Sequence, residues 1–122
     1  MATCHCEQIP ETLFLDEAPL DWFDRLSEVA TGDWKTLRRC TLCSHLFAVD
    51  AWDKGQDQVV VRVTYLAHWQ EEADSVNRRK ALLLRSRGGL DTGACAWAGC
   101  GSPRVRRVAY CLDHLWGSGA RR

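Results

Sequence analysis

The sequence has no long apolar run. Its longest stretches free of polar residues span only a few positions, as in Val59-Val60-Val61, against the roughly 20 that a bilayer-crossing helix requires. Neither a membrane span nor a membrane partner is expected. There is also no internal repeat and no low-complexity tract, which argues against a solenoid and against a tail unable to pack. The amino terminus, Met-Ala-Thr-Cys-His-Cys-Glu, lacks the basic start and apolar stretch of a secretory leader, and a cytoplasmic location is the expectation that follows. Net charge is missing as well, since 16 Lys+Arg offset 16 Asp+Glu.

Cysteine, by contrast, is plentiful. Seven occur in 122 residues, and an odd number cannot all pair within one chain, while reducing compartments rarely keep structural disulfides. Metal or redox chemistry is the better explanation. With 46% hydrophobic and 26% charged residues the chain is ordinary for a folded protein and too apolar for a disordered one. Its length suits one modest domain or two small lobes, near the size at which extra fastenings help a core.

The zero net charge hides a strong asymmetry. Residues 1–77 carry 6 Lys+Arg against 14 Asp+Glu, a net of −8, whereas residues 78–122 carry 10 against 2, a net of +8. We read an acidic lobe over 1–77 and a basic lobe over 78–122, or one continuous domain with two charged faces. An acidic lobe attracts basic surfaces and a basic one attracts phosphate or acidic protein; the bland alternative is that the halves neutralise each other.

The expected class is α+β. Leu20, Phe23, Leu26 and Val29 follow a three-and-four spacing, which predicts an amphipathic helix begun near Asp16 or Glu17 and stopped by Gly32. Residues 34–39 and Leu46-Phe-Ala-Val49 read as a β-hairpin turning through Cys40-Thr-Leu-Cys43, and Val59 to Leu66 is β-branched enough for a strand, giving a sheet of about three strands. From Glu71 to Leu84, acids precede bases in the order that suits a helix dipole, and Arg87-Gly88-Gly89 ends the helix. Most of the six tryptophans are expected in the core, because such side chains dominate buried area.

Eight soft ligands fall into two sets. Cys40-x2-Cys43 has the spacing of a zinc knuckle; its partner by elimination is Cys4-x-Cys6, across 33 intervening residues. The spare imidazoles His5 and His45 could each replace one cysteine, or stand beside the site facing solvent. The second set is more specific: Cys95-x4-Cys100, ten residues, then Cys111-x2-His114, with the last pair in the first turn of a helix. Between them, residues 104–110 are expected to form a hairpin strand after the turn at Gly101-Ser-Pro103. Seven cysteines and one histidine make two sets of four, so two structural Zn2+ ions are expected and no thiol is left for catalysis.

The segment from Cys95 to His114, Cys-Ala-Trp-Ala-Gly-Cys-Gly-Ser-Pro-Arg-Val-Arg-Arg-Val-Ala-Tyr-Cys-Leu-Asp-His, resembles the small treble-clef zinc fingers of bacterial and phage proteins, where a Cys-x4-Cys knuckle precedes Cys-x2-His. Some fingers of that kind bind DNA, which would give Arg104, Arg106 and Arg107 a phosphate- or partner-contacting role. No His-Asn-His nuclease constellation is present. A second stretch, residues 34–50, reads Trp-x2-Leu-x-Arg-Cys-x2-Cys-x3-Phe-Ala-Val-Asp and is similar to a stretch of small bacterial immunity-like proteins that neutralise secreted toxins.

Closed four-ligand sites leave no open position for water. Carboxylates such as Glu71, Glu72, Asp50 and Asp53 read as solvated or helix-start residues, and His68 as a packed or surface residue. No enzyme is expected. A module binding a partner protein, of immunity or antitoxin type, ranks first, and a nucleic-acid-binding zinc finger second, because fourteen acids in the first lobe would repel a polyanion.

Overall fold

A computed structural model of the chain describes residues 4–122. It divides into two compact units, Met1–Ser75 and Val76–Arg122, which carry formal charges of −8 and +8.

The first unit is built on an antiparallel sheet. Its strands are β1 (Thr12–Phe14), β2 (Leu26–Gly32), β3 (Lys35–Cys40), β4 (Leu46–Asp50) and β5 (Val59–Val63), in the order β1-β5-β4-β3-β2. The hairpin of β3 and β4 forms where the sequence calls for it, with Lys35 opposite Asp50 and Arg39 opposite Leu46. The alternation of β4 sends Phe47 and Val49 into one core and Leu46 and Ala48 into the other. Both faces of the sheet are therefore covered, which is why consecutive valines suit β5: Val59, Val60 and Val61 are all buried.

The expected helix ending at Gly32 is wrong. Residues 15–17 and 23–25 form single 3-10 turns, and Leu26–Gly32 is strand β2, paired with β3 through a bulge between Glu28 and Ala30. The three-and-four spacing was accidental: Leu20 and Val29 are exposed while Trp22 and Leu26 are buried, so those positions never shared a face. The sheet consequently has five strands rather than about three, and β5 stops at Val63.

A short helix, α1 (Trp69–Ala73), covers one face, seating Trp69 and Ala73 on Leu37, Ala48 and Val63. Gly32 permits this approach, since a Cβ there would stand 2.8 Å from the Trp69 ring and the Gln70 amide. Glu72, expected as a solvated acid, accepts hydrogen bonds from the backbone N–H groups of Thr64 and Tyr65 at 2.9–3.0 Å. Lys35, buried at 6% exposure, donates to the Asp74 carboxylate at 3.0 Å and to the Asp33 carbonyl, so its charge is not left alone.

The single helix expected over 71–84 is two. The chain leaves helical geometry at Asp74 and resumes in α2 (Val76–Ser86) in the second unit. Gly88 and Gly89, at φ of 91° and 92°, end α2 in the left-handed conformation that glycine adopts freely. Two strands follow, β6 (Leu90–Ala94) and β7 (Pro103–Val105), and then helix α3 (Leu112–Gly117). The predicted hairpin strand over 104–110 is confined to residues 103–105; Arg107, at φ 64°, turns the chain back before α3. Leu83, Val105 and Leu115 form the small core of this unit.

Tryptophan is the other correction. Only Trp22 and Trp69 are buried, whereas Trp34, Trp52 and Trp97 are 80%, 74% and 54% exposed. No described helix is long and apolar enough to cross a membrane.

Candidate metal centres

Each unit gathers one four-ligand cluster. In the first, Cys4, Cys6, Cys40 and Cys43 bring their Sγ atoms within 4.8 Å of one another. Cys40 closes β3 and Cys43 lies in the turn to β4, held by bonds from Ser44 N to Cys40 O (3.0 Å) and from Cys40 N to His45 O (2.9 Å). Ser44, at φ 66°, makes the reversal. Cys6 opens a 3-10 turn and is fully buried beside Trp22, whose indole N–H points at Cys6 Sγ from 3.5 Å.

The N-terminal pair is anchored by a residue that the sequence offers no sign of. Arg62 on β5 donates to the carbonyls of Cys6 and, at 2.9 Å, of Ile9, and its guanidinium lies 5.4 Å from the Phe47 ring centroid. One strand thus holds the ligand loop across 56 positions of sequence. His45 is exposed and places Nδ1 2.9 Å from Cys43 Sγ; His5 caps the 3-10 turn through its backbone position. Neither joins the four sulfurs as a member of the cluster. His68 is exposed, apart from the cluster members.

The thiols are held unequally. Burial pushes Cys6 well above the ordinary cysteine range and also raises Cys43. At Cys40 burial acts in the same direction, but the backbone N–H groups of Leu42 and Cys43 and the neighbouring thiols outweigh it and bring it down to about 7. Crowded sulfurs compete for one negative charge, and only a cation among them lets all ionise together.

The second cluster unites Cys95, Cys100, Cys111 and His114, again with ligand atoms within 4.8 Å of one another. Cys95 and Cys100 sit between β6 and β7 in a turn closed by Cys100 N to Trp97 O at 3.0 Å, with Gly99 at φ 78°. The strand before this knuckle, β6, was missed because Leu90-Asp-Thr-Gly-Ala is too polar and glycine-bearing to announce itself. Cys111 is the N-cap of α3 and His114 lies one turn on, a spacing that puts both on one helix face. Cys100 Sγ is 3.9 Å from Cys111 Sγ, and His114 Nδ1 is 3.4 Å from Cys95 Sγ and 3.3 Å from Cys111 Sγ.

These separations are those of a coordination shell. Tetrahedral bonds of about 2.3 Å to sulfur and 2.0 Å to nitrogen place ligand atoms about 3.8 Å apart for sulfur pairs and about 3.5 Å for a sulfur–nitrogen pair. Trp97 stacks on the His114 ring, centroids 4.5 Å apart and planes 12° from parallel, and meets Tyr110 edge-on. The stack fixes the imidazole with Nδ1 toward the sulfurs. The Ser102 backbone N–H lowers Cys100, while at Cys111 burial and the adjacent thiols outweigh a lowering contact from the His114 backbone.

Both clusters could therefore hold a metal ion. The three arginines singled out from sequence lie differently. Arg104 on β7 pairs with Asp91 at 3.3 Å and folds over Gly93, whereas Arg106 and Arg107 are exposed on the following turn. No family model, curated protein or solved structure matches this chain.

Proposed function

We propose that this chain is a zinc-stapled binding module whose acidic unit docks on a basic surface of a partner protein. The observation that carries the proposal is the segregation of charge, −8 on Met1–Ser75 and +8 on Val76–Arg122. A surface of one sign accelerates encounter with its complement, and the exposed Trp34 and Trp52 belong to the residue type that most often anchors protein interfaces. The partner is a toxin-like protein and the module an immunity or antitoxin protein acting in the cytoplasm; the likeness of residues 34–50 to immunity-like proteins supports this.

Zinc is the ion because four thiolates, or three thiolates and an imidazole, in a closed tetrahedron suit its softness and geometry. Cys4, Cys6, Cys40 and Cys43 would hold one ion, and Cys95, Cys100, Cys111 and His114 the other. When bound, each supplies cross-linking of the fold and no open coordination position, so the module has no catalytic role. A knuckle between β6 and β7 followed by a helix that carries Cys111 and His114 supports a treble-clef reading of the second unit.

The second reading is nucleic-acid binding through the basic unit, favoured by the exposure of Arg106 and Arg107. Two assays on the metal-loaded protein separate the readings: a shift assay with mixed DNA and RNA across a salt series, and co-purification with the product of a neighbouring gene. We expect a stable complex with that product and only weak nucleic-acid retention. Tight nucleic-acid binding with a steep salt slope would overturn the protein-partner reading.

A further inference from the structure

The first cluster is not sealed evenly. Cys6 and Cys40 are buried, at 0% and 1% exposure, whereas Cys4 and Cys43 are half-buried and mark its open side. The knuckle that carries Cys43 is itself a surface turn, with Thr41, Leu42, Ser44 and His45 exposed. Its course brings the chain back over one sulfur. Ser44 reverses at φ 66°, and the bond from Cys40 N to His45 O, 2.9 Å long, pins the His45 backbone. Backbone and ring of His45 then converge on Cys43 Sγ: the backbone N–H bonds to it, and ring Nδ1 lies 2.9 Å away. Nδ1 is not among the four donors that approach one another within 4.8 Å, so the exposed ring meets Cys43 from outside the cluster.

We infer that His45 is a positioning residue for the first metal site, donating its ring N–H to the Cys43 thiolate and so slowing loss of the bound ion. This rests on the zinc reading of the four sulfurs. A thiolate bound to zinc has no proton to give, so a ring nitrogen against it must be the donor, which fixes the Nδ1–H tautomer. The bond draws charge from the sulfur and makes it a poorer target for protons and electrophiles, the agents that strip a thiolate from metal. Release begins at a sulfur that solvent reaches, and His45 stands on one of the two. The contrast with His114 separates a donor from a ligand. His114 Nδ1 is 3.4 Å and 3.3 Å from two sulfurs of its cluster, close to the spacing of about 3.5 Å for atoms sharing one ion, whereas His45 touches a single sulfur at shorter range. His5 provides an internal control: it lies between Cys4 and Cys6, and among the described residues its ring makes no bond to a sulfur.

The test loads the full chain with a spin-active cadmium isotope in place of zinc and follows the metal resonances while a chelator is present in excess. A shell of four sulfurs and a shell of three sulfurs and one nitrogen resonate apart, so the two sites report separately. His45→Ala should release the first ion about tenfold faster than the parent and leave the rate at the second site unchanged. His45→Asn keeps a short N–H donor and should restore part of the difference; His45→Phe keeps the bulk without the donor and should not. His5→Ala should change the rate less than about twofold. Unchanged release from His45→Ala, equal acceleration at both sites, or restoration by Phe but not by Asn would overturn the assignment, as would a parent resonance that shows nitrogen among the ligands of the first site. A first cluster that takes up no ion would overturn the zinc reading together with this one, and metal content alone tells that result from the others.

Discussion

The two units carry clusters of the same kind on very different supports. In the acidic unit the four sulfurs join a core that already contains Leu13, Trp22, Leu26, Phe47 and Val60, with a second core of Leu37, Ala48, Val63 and Trp69 on the other face of the sheet. In the basic unit the buried cluster is Leu83, Val105 and Leu115, with Leu84, Val108, Tyr110, Leu112, Trp116 and Ala120 only partly buried around it, and short strands and a six-residue helix surround the ligands. So small a core supplies little free energy against the entropy of ordering the chain. An ion in the first unit would reinforce a sheet that has its own reasons to fold. In the second it would supplement a much smaller core.

The largest effect that this comparison predicts is for Cys111→Ser. Structural zinc sites contribute about 10–16 kcal/mol of apparent binding free energy, as much as the whole stability of about 5–15 kcal/mol of a typical domain, so losing one ligand should unfold the basic unit. Amide spectra should show the resonances of β6, β7 and α3 collapsing while those of the five-stranded sheet stay dispersed. Cys40→Ser comes next, with a loss of about 4 kcal/mol in the acidic unit, whose sheet should nevertheless still form; loss of all sheet dispersion would erase the distinction between the units. Third, Arg62→Met strips the donors from the Cys6 and Ile9 carbonyls at a cost of about 1–3 kcal/mol, and should speed metal loss to a chelator from the first cluster alone.

The smallest effect concerns Asp91, held below its ordinary value of 3.8 by the Thr92 backbone N–H and then by Arg104. A carboxyl whose value is depressed on folding adds stability above the unfolded value and loses it as the pH falls through the folded one. Asp91→Asn should therefore lower the thermal midpoint of the basic unit slightly near neutral pH, and the gap to the parent should close on acidification below about pH 4.

The two candidate ligand clusters were legible in the sequence because ligand chemistry is local. Cys40-x2-Cys43 and Cys111-x2-His114 each need only one turn of chain to align two donors, and elimination paired the remaining cysteines, although His5 and His45 stayed open as replacements until the structure grouped the four sulfurs without them. The β3–β4 hairpin was legible for the same reason, its two strands flanking the knuckle. Strand β2 was not, because Leu20, Phe23, Leu26 and Val29 mimic a helical stripe and only pairing with β3 reveals the strand. Arg62 was invisible since its role depends on β5 lying against a loop more than fifty residues earlier. The tryptophans misled through a sound generalisation: large rings favour cores, but Trp34 and Trp52 stand at turns where no core reaches them.

The central claim is that two closed four-ligand sites hold this chain together, one in each unit. Native mass spectrometry before and after chelation, paired with amide spectra of the same samples, tests it most directly. Two zinc ions per chain, with the basic unit unfolding when its ion is withdrawn, is the predicted result. A chain that carries fewer than two ions, or that keeps both units folded after complete metal removal, would contradict it.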